Sequence, residues 1–166
     1  MKILVCGGAG FIGSAFIRNY LNNNPENKII NLDSLTIGSN LKNLKEIEQN
    51  KNYQFIKGDI KNQKVVNDLV RDVDTIINFA AESHVDRSIA NPKPFIETNI
   101  LGTYSLLEAT KKYDSLFIHV STDEVYGDAE NEDSFTEKSI INPSNPYSAT
   151  KASADHLVSA YHRTYG

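Results

Sequence analysis

Residues 5–16 read VCGGAGFIGSAF: an apolar run closes on glycines and opens into a segment with helical patterning. This feature constrains the fold most. Gly7, Gly10 and Gly13 stand three apart, where a strand must turn tightly into a helix and the backbone must approach another group closely. A helix starting there aims N–H groups and the positive end of its dipole at the turn, a setting suited to a pyrophosphate. The spacing is G-x-x-G-x-x-G, wider in its first step than the common G-x-G-x-x-G dinucleotide fingerprint. The plain alternative is a glycine-rich turn that holds nothing.

The segments after the turn decide the fold class. Apolar runs of strand length occur at Ile3–Cys6, Ile29–Leu32, Tyr53–Ile56, Thr75–Phe79 and Leu116–Ser121. Helical patterns lie between or after them at Ser14–Leu21, Val65–Val70, Phe95–Tyr113 and Tyr147–Tyr165. In the third of these, Ile96, Ile100, Leu101, Leu107 and Ala109 are expected to face inward. Strands alternating with helices predict βαβ units and a parallel α/β sheet, and near-continuous apolar strands suit a sheet covered on both faces. Gly127–Ser144, polar and acidic, reads as a surface loop with solvated charges. A doubly wound sheet ordinarily continues with a sixth strand, so the chain reads as one incomplete dinucleotide-binding domain over residues 1–166, cut before its last strands.

Composition narrows the function classes. The net charge of −4 argues against a nucleic-acid surface. It does not argue against a phosphorylated small molecule, which backbone N–H groups can hold. The single cysteine, Cys6, permits no intrachain disulfide and reads as a small buried hydrophobe. No run reaches the roughly 18 apolar residues of a membrane span, and MKILVCGG is too short in apolar residues for a signal peptide. A cytoplasmic protein is the expectation.

Several residues carry candidate chemistry. Asp33 stands 20 positions after Gly13 at a strand end, where a carboxylate can accept from both ribose hydroxyls and favour NAD over NADP, or cap a turn. Asp59 in GDI at 58–60 can meet an adenine edge or cap the next helix. In NPYSATKAS, Asn145 is a natural cap and Pro146 a first helical residue, with Tyr147 and Lys151 one turn apart. A nearby cation is expected to lower the tyrosine pKa and make it a usable base. Thr122, Asp123 and Glu124 come after the last strand in HVSTDEVYG. His84 and Asp86 make too small a set for a metal site, and no metal is expected; their loop is expected to position Ser83.

Together these motifs resemble the extended short-chain dehydrogenase/reductase family, and within it the dTDP-glucose 4,6-dehydratase branch. The resemblance runs the length of the chain, through GGAGFIGSA, NLDSLT, GDI, AAESHVDRSI, FIETNILGTYSLLEA, STDEVYGD and NPYSATKASADHLVSAYHRTYG. It implies a modified Rossmann domain holding NAD, and a C-terminal nucleotide-sugar domain absent from these residues. It implies that Gly7, Gly10, Phe11, Ile12 and Gly13 line the pyrophosphate and that Asp33, Ser34, Leu35 and Thr36 bind the adenosine ribose side. Asp59 and Ile60 would flank adenine. Phe79, Ala80, Ala81, Glu82, Ser83 and Thr98 would line the cofactor cleft, with Ser83 also touching substrate. Family members usually carry Thr where this chain has Cys6, and often Lys where it has Ser34, so bracing of the loop and cofactor affinity can differ here.

The same resemblance assigns catalysis to Thr122, Asp123, Glu124, Tyr147 and Lys151. Tyr147 would deprotonate the C4 hydroxyl, which Thr122 holds, while Lys151 bonds the nicotinamide ribose. The C4 ketone acidifies C5–H, and two carboxyl groups can then divide the elimination, Glu124 as base and Asp123 as acid. Hydride returns to C6, as in deoxysugar and rhamnose synthesis. A homodimer through helices 95–113 and 147–165 is implied, with no nucleic-acid or membrane partner. The alternatives are a UDP-sugar 4,6-dehydratase, a 4-epimerase of the same superfamily, or an NAD-binding piece without turnover. An epimerase needs no acid–base pair after the hydroxyl.

Overall fold

The computed structural model describes residues 1–129 and 134–166; part of the expected acidic loop, residues 130–133, lies outside them. Five strands form one parallel sheet: β1 (Lys2–Cys6), β2 (Lys28–Asp33), β3 (Tyr53–Lys57), β4 (Thr75–Asn78) and β5 (Leu116–His119). Their order is β3-β2-β1-β4-β5. Cys6 pairs with Leu32 on one side and Asn78 on the other, so the carboxyl ends of three strands lie level. The order reverses at β1, and the turn after β1 therefore sits at the switch point where Rossmann-type doubly wound sheets take ligands.

Alternation along β1 explains why the strands read as unbroken apolar runs. Leu4 and Cys6 join Ile30, Leu32 and Ile76 on one face, covered by Val66 and Val70 of α2 (Gln63–Val70) and by Leu106 and Ala109 of α5 (Thr103–Tyr113). Ile3 and Val5 join Ile29 and Ile77 on the other, covered by Ile17 and Leu21 of α1 (Phe11–Asn23) and by Leu44 and Ile47 of a 3₁₀ turn, Leu41–Ile47. Both faces need apolar residues, so period two disappears from the sequence. Cys6 is buried as expected, and burial pushes its thiol pKa up.

The chain divides into two compact units. The first, Met1–Ala80 with Ser105–Val120, holds the sheet. The second, Ala81–Tyr104 with Ser121–Gly166, contains no strand among its described residues. It comprises α3 (Val85–Ala90), α4 (Lys93–Phe95), a π-helical stretch Ile96–Gly102, the start of α5, a 3₁₀ turn Asp123–Tyr126 and α6 (Pro146–Tyr165). The expected loop around His84 and Asp86 is thus the entry to a short helix. The expected helix Phe95–Tyr113 is present, but its π stretch changes the side-chain period. Ile96 and Leu101, expected inside, are exposed, whereas Leu107 and Ala109 are buried. Among the described residues no helix is long and apolar enough to cross a membrane.

Candidate active site

In the sheet unit, steric fit shapes the glycine turn. Gly7 donates its N–H to the Leu32 carbonyl at 2.9 Å. It stands at φ 77°, and a methyl group there would lie 2.6 Å from the Ala80 nitrogen. A methyl group on Gly13 would lie 2.4 Å from the Gly7 carbonyl oxygen. Only glycine lets the strand end, turn and helix start approach so closely. Gly10 caps α1 without a side chain, so no capping side chain occupies the first-turn N–H groups of a 13-residue helix. Phe11 and Ile12 are exposed beside them.

Asp33 is buried at the end of β2, and it caps as well as points. Its Oδ2 accepts from the Ala9 N–H at 2.9 Å, and Oδ1 accepts from the Leu35 N–H at 2.8 Å. Each carboxylate oxygen keeps a second lone pair. Leu35 takes a left-handed φ of 58° in this turn, between Ser34 and Thr36. The Ala9 carbonyl accepts from the Asn40 N–H at 2.9 Å and from Asn43 Nδ2 at 3.3 Å. Ala9 is thereby held through both its N–H and its carbonyl. Asn40 and Asn43 are positioning residues that no local sequence pattern marks.

Asp59 does not cap α2. Its Oδ1 accepts from the Lys61 N–H at 2.9 Å, with the Lys61 ammonium 3.5 Å from Oδ2. Asn62 caps the helix instead, accepting from the Val65 N–H. The aspartate closes a tight turn one step earlier, which displaces the cap. The Ile60 side chain belongs to the core, which leaves ligand contact at that position to its backbone. Phe79 packs 5.4 Å from the Phe16 ring, and the Ala80 N–H donates to Asn78 Oδ1.

In the second unit, hydrogen bonds do this work. Buried Asn99, beside Thr98 in the π stretch, accepts from the Glu82 N–H at 2.9 Å. Its Nδ2 donates to the Glu82 carbonyl at 3.0 Å and to Thr150 Oγ1 at 2.9 Å. This fixes residues 81–83 against α6, and Glu82 also pairs with Arg87 at 3.2 Å. Sequence reasoning picks out Thr98 and misses its neighbour, although π turns are frequent at functional sites.

Around Tyr147 the expected residues converge. Asn145 and Ser148 form a reciprocal capping box at the start of α6. Asn145 Nδ2 also donates to Glu124 Oε2 at 3.3 Å. The Tyr147 N–H donates to Ser88 Oγ at 3.1 Å, and its ring meets Phe95 edge-on at 6.4 Å. Thr122 caps the 3₁₀ turn by accepting from the Glu124 N–H and donates its hydroxyl to Asp123 Oδ1 at 3.3 Å, and it acts on the Tyr147 phenol so as to favour the phenolate. The structure thus brings Thr122, Asp123, Glu124 and Tyr147 together. The tyrosine pKa is raised, not lowered: burial is the first cause, the Thr122 hydrogen bond opposes it, and the Glu124 and Asp123 charges add to the rise. The expected cation effect gives way to desolvation and two carboxylates.

Lys151 is buried one turn further along α6. Burial pulls its pKa down to about 8, and the Asp155 carboxylate resists the fall. Ser121 Oγ donates to Asp155 Oδ2 at 2.5 Å. Ser88, Ser121 and Asp155 lie inside quoted motifs but are given no role there, although Asp155 repeats the four-residue step that relates Tyr147 to Lys151.

A parallel sheet with a glycine turn at its switch point, and a buried Tyr–Lys pair on a capped helix, define a Rossmann-type protein of the extended short-chain dehydrogenase/reductase class. The chain belongs to the GDP-mannose 4,6 dehydratase family, whose model matches residues 4–166. It is 49% identical to the dTDP-glucose 4,6-dehydratase of Escherichia coli, over 100% of this chain and 51% of that protein. A Streptomyces venezuelae dTDP-glucose 4,6-dehydratase, solved with NAD bound, is 46% identical with a TM-score of 0.96 over 100% of this chain and 53% of that one. A Thermotoga maritima UDP-glucose 4-epimerase, solved with UDP-glucose, is 31% identical with a TM-score of 0.89, over 100% of this chain and 52% of that one. The chain spans about half the length of the curated relatives it matches.

Proposed function

We propose that these residues carry the oxidation and elimination chemistry of an NAD-dependent dTDP-glucose 4,6-dehydratase. The observation that supports this best is the gathering of Thr122, Asp123 and Glu124 at Tyr147. An epimerase reading uses the hydroxyl and the phenol but leaves the two carboxylates without a task.

The glycine turn fits a dinucleotide. Its helix start has no side-chain cap, and a buried carboxylate with spare lone pairs closes the neighbouring strand. Gly7, Gly10, Phe11, Ile12 and Gly13 would hold the pyrophosphate, and Asp33 with Ser34, Leu35 and Thr36 the adenosine ribose. Asp59 and the Ile60 backbone would meet adenine. Phe79, Ala80, Ala81, Glu82, Ser83 and Thr98 would line the rest, and Lys151 would bond the nicotinamide ribose. When bound, NAD supplies the acceptor for the C4 hydride and the donor for its return to C6.

The chain's own residues manage the protons. Thr122 holds the C4 hydroxyl, and Tyr147, once its own proton is lost against the burial and carboxylate charges that raise its pKa, removes the C4 hydroxyl proton as C4 becomes a ketone. Glu124 then takes the acidified C5 proton, and Asp123 protonates the C6 hydroxyl, which departs as water. Glu124 gives its proton back to C5 when hydride reaches C6. The C4 ketone remains, so the proton held by Tyr147 leaves to solvent, and solvent restores the proton that Asp123 gave up. Ser83 would add a contact to the sugar.

A cytoplasmic homodimer completes the reading. One buried cysteine suits a reducing compartment, and Ile96, Leu101, Tyr104 and Tyr165 offer exposed apolar surface on the two helices expected to associate.

The test is to incubate the chain with dTDP-glucose and NAD and follow the sugar by mass and by NMR. Loss of one water with a ketone at C4 supports the reading. A C4 epimer of unchanged mass overturns it in favour of an epimerase. NAD binding without turnover overturns it in favour of a binding piece, a reading supported by the half-length match to the relatives.

A further inference from the structure

Lys151 is only 4% exposed. An ammonium this deep is costly unless a counter-charge faces it. Asp155 lies four residues further on, so Tyr147, Lys151 and Asp155 fall along one face of α6. The Asp155 carboxylate is half-buried and does not rotate freely, because Ser121 Oγ binds its Oδ2 at 2.5 Å. Ser121 directly precedes Thr122, which acts on the Tyr147 phenol. One aspartate therefore touches the helix that carries the Tyr–Lys pair and the segment that carries the Thr–Asp–Glu turn.

Asp123 and Glu124 act on Tyr147. Asp155 acts on Lys151, and His156 acts in turn on Asp155.

We propose that Asp155, pinned by Ser121, is a positioning residue that keeps the Lys151 side chain in its ammonium form on the Tyr147 face of α6. The role of that ammonium toward a nicotinamide ribose rests on the proposed function; the Ser121–Asp155–Lys151 relay does not. Its bland competitor is a Ser–Asp bond that merely fastens residues 121–122 to α6, to which Lys151 would be indifferent.

The experiment reads Lys151 directly, in the whole chain without nucleotide or sugar. The chain is labelled with ¹³C-lysine, the Lys151 Cε signal is assigned with Lys151→Arg, and its shift is followed against pH. The Asp155→Asn midpoint is expected about one pH unit below wild type, and Asp155→Glu is expected to recover at least half of that difference. An unchanged midpoint in folded Asp155→Asn overturns the proposal. Should Asp155→Asn fail to fold, the wild-type chain decides: the Lys151 signal must show a second, acidic inflection where the Asp155 carboxyl titrates, and a single inflection overturns the proposal. A chain that dehydrates nothing leaves this result untouched, so the two readings fail separately.

Discussion

The sheet unit and the helical unit reach their functional geometry by different routes. In the first, two apolar layers clamp β1, and the glycines after it are fixed by where atoms cannot be, since no Cβ fits at Gly7 or Gly13, while hydrogen bonds to Asp33, Asn40 and Asn43 hold only Ala9 between them. In the second, Ser88, Asn99, Thr150, Asn145 and Asp155 fix the backbone and side chains by hydrogen bonds. Exclusion is indifferent to pH and tolerates no added atom. Hydrogen bonding tolerates added atoms better but depends on protonation and on every partner being present. The turn expected to hold a cofactor is of the first kind, and the residues expected to move protons are of the second.

The largest effect should come from breaking exclusion. Gly7→Ala meets both a left-handed φ and a 2.6 Å clash with the Ala80 nitrogen, and is expected to cost about 4 kcal/mol in urea unfolding. Gly38→Ala shares the left-handed backbone, at φ 92°, with nothing within 4 Å of the added carbon. It should cost only about 1 kcal/mol. Equal losses at the two sites would show that strain, not space, governs the turn.

Protonation should separate the units next. The Lys151 pKa falls from 10.5 to about 8 on folding. A depressed cation penalises the fold fully below about pH 8, and the penalty is relieved as pH rises toward 10.5, because the unfolded chain then binds more protons. Wild type should gain about 3 kcal/mol relative to Lys151→Met across that window. Tyr147 is raised and works the opposite way above pH 10, but it is present in both proteins and cancels in the difference. A flat difference between the two stability curves would mean that the amine is better solvated than its burial indicates.

Removing a partner should cost somewhat less. Asn99→Ala strips both the Glu82 N–H and the Glu82 carbonyl of their partner, an expected loss of about 2 kcal/mol in the same unfolding assay. Thr150→Val leaves Asn99 bonded to both the Glu82 N–H and the Glu82 carbonyl, so it should cost less than Asn99→Ala. The smallest effect is electrostatic. Glu124→Gln removes a charge that raises the Tyr147 pKa, and ultraviolet titration should show one phenol ionising at lower pH with stability unchanged.

The same division explains what can be read from the residues alone. The sheet is legible because burial on both faces leaves runs such as Ile3–Cys6 purely apolar. The helix α1 begins three residues before its expected start because Phe11 and Ile12 are exposed and break the apolar period. The turn Leu41–Ile47 leaves no clear pattern because only Leu44 and Ile47 are buried within it. In the candidate site, motifs whose parts are neighbours in sequence are legible: the glycines, Asp33, the Thr–Asp–Glu triplet, and the Tyr–Lys step. Residues whose partners are remote are not. Asn43 reaches back 34 positions to Ala9, Asn99 reaches 17 to Glu82, and the Tyr147 N–H reaches 59 to Ser88. The direction of the Tyr147 shift is misread for a related reason, since the spacing that shows its lysine does not show how deeply the phenol is buried.

The π stretch Ile96–Gly102 carries a consequence for how this chain can change. Each α-helical residue turns the helix by about 100°, and a π turn accommodates extra chain within one loop of the spiral. Deleting one residue here would let the backbone relax into an ordinary helix with better-matched hydrogen bonds, and so would be locally favourable. A deletion after Asn99 would also swing it and the side chains before it around the axis relative to those that follow, carrying Asn99 away from Glu82 and Thr150. The stretch acts as an angular spacer: its length is constrained by where one asparagine must point, and indels should be rarer there than in the exposed residues 134–138.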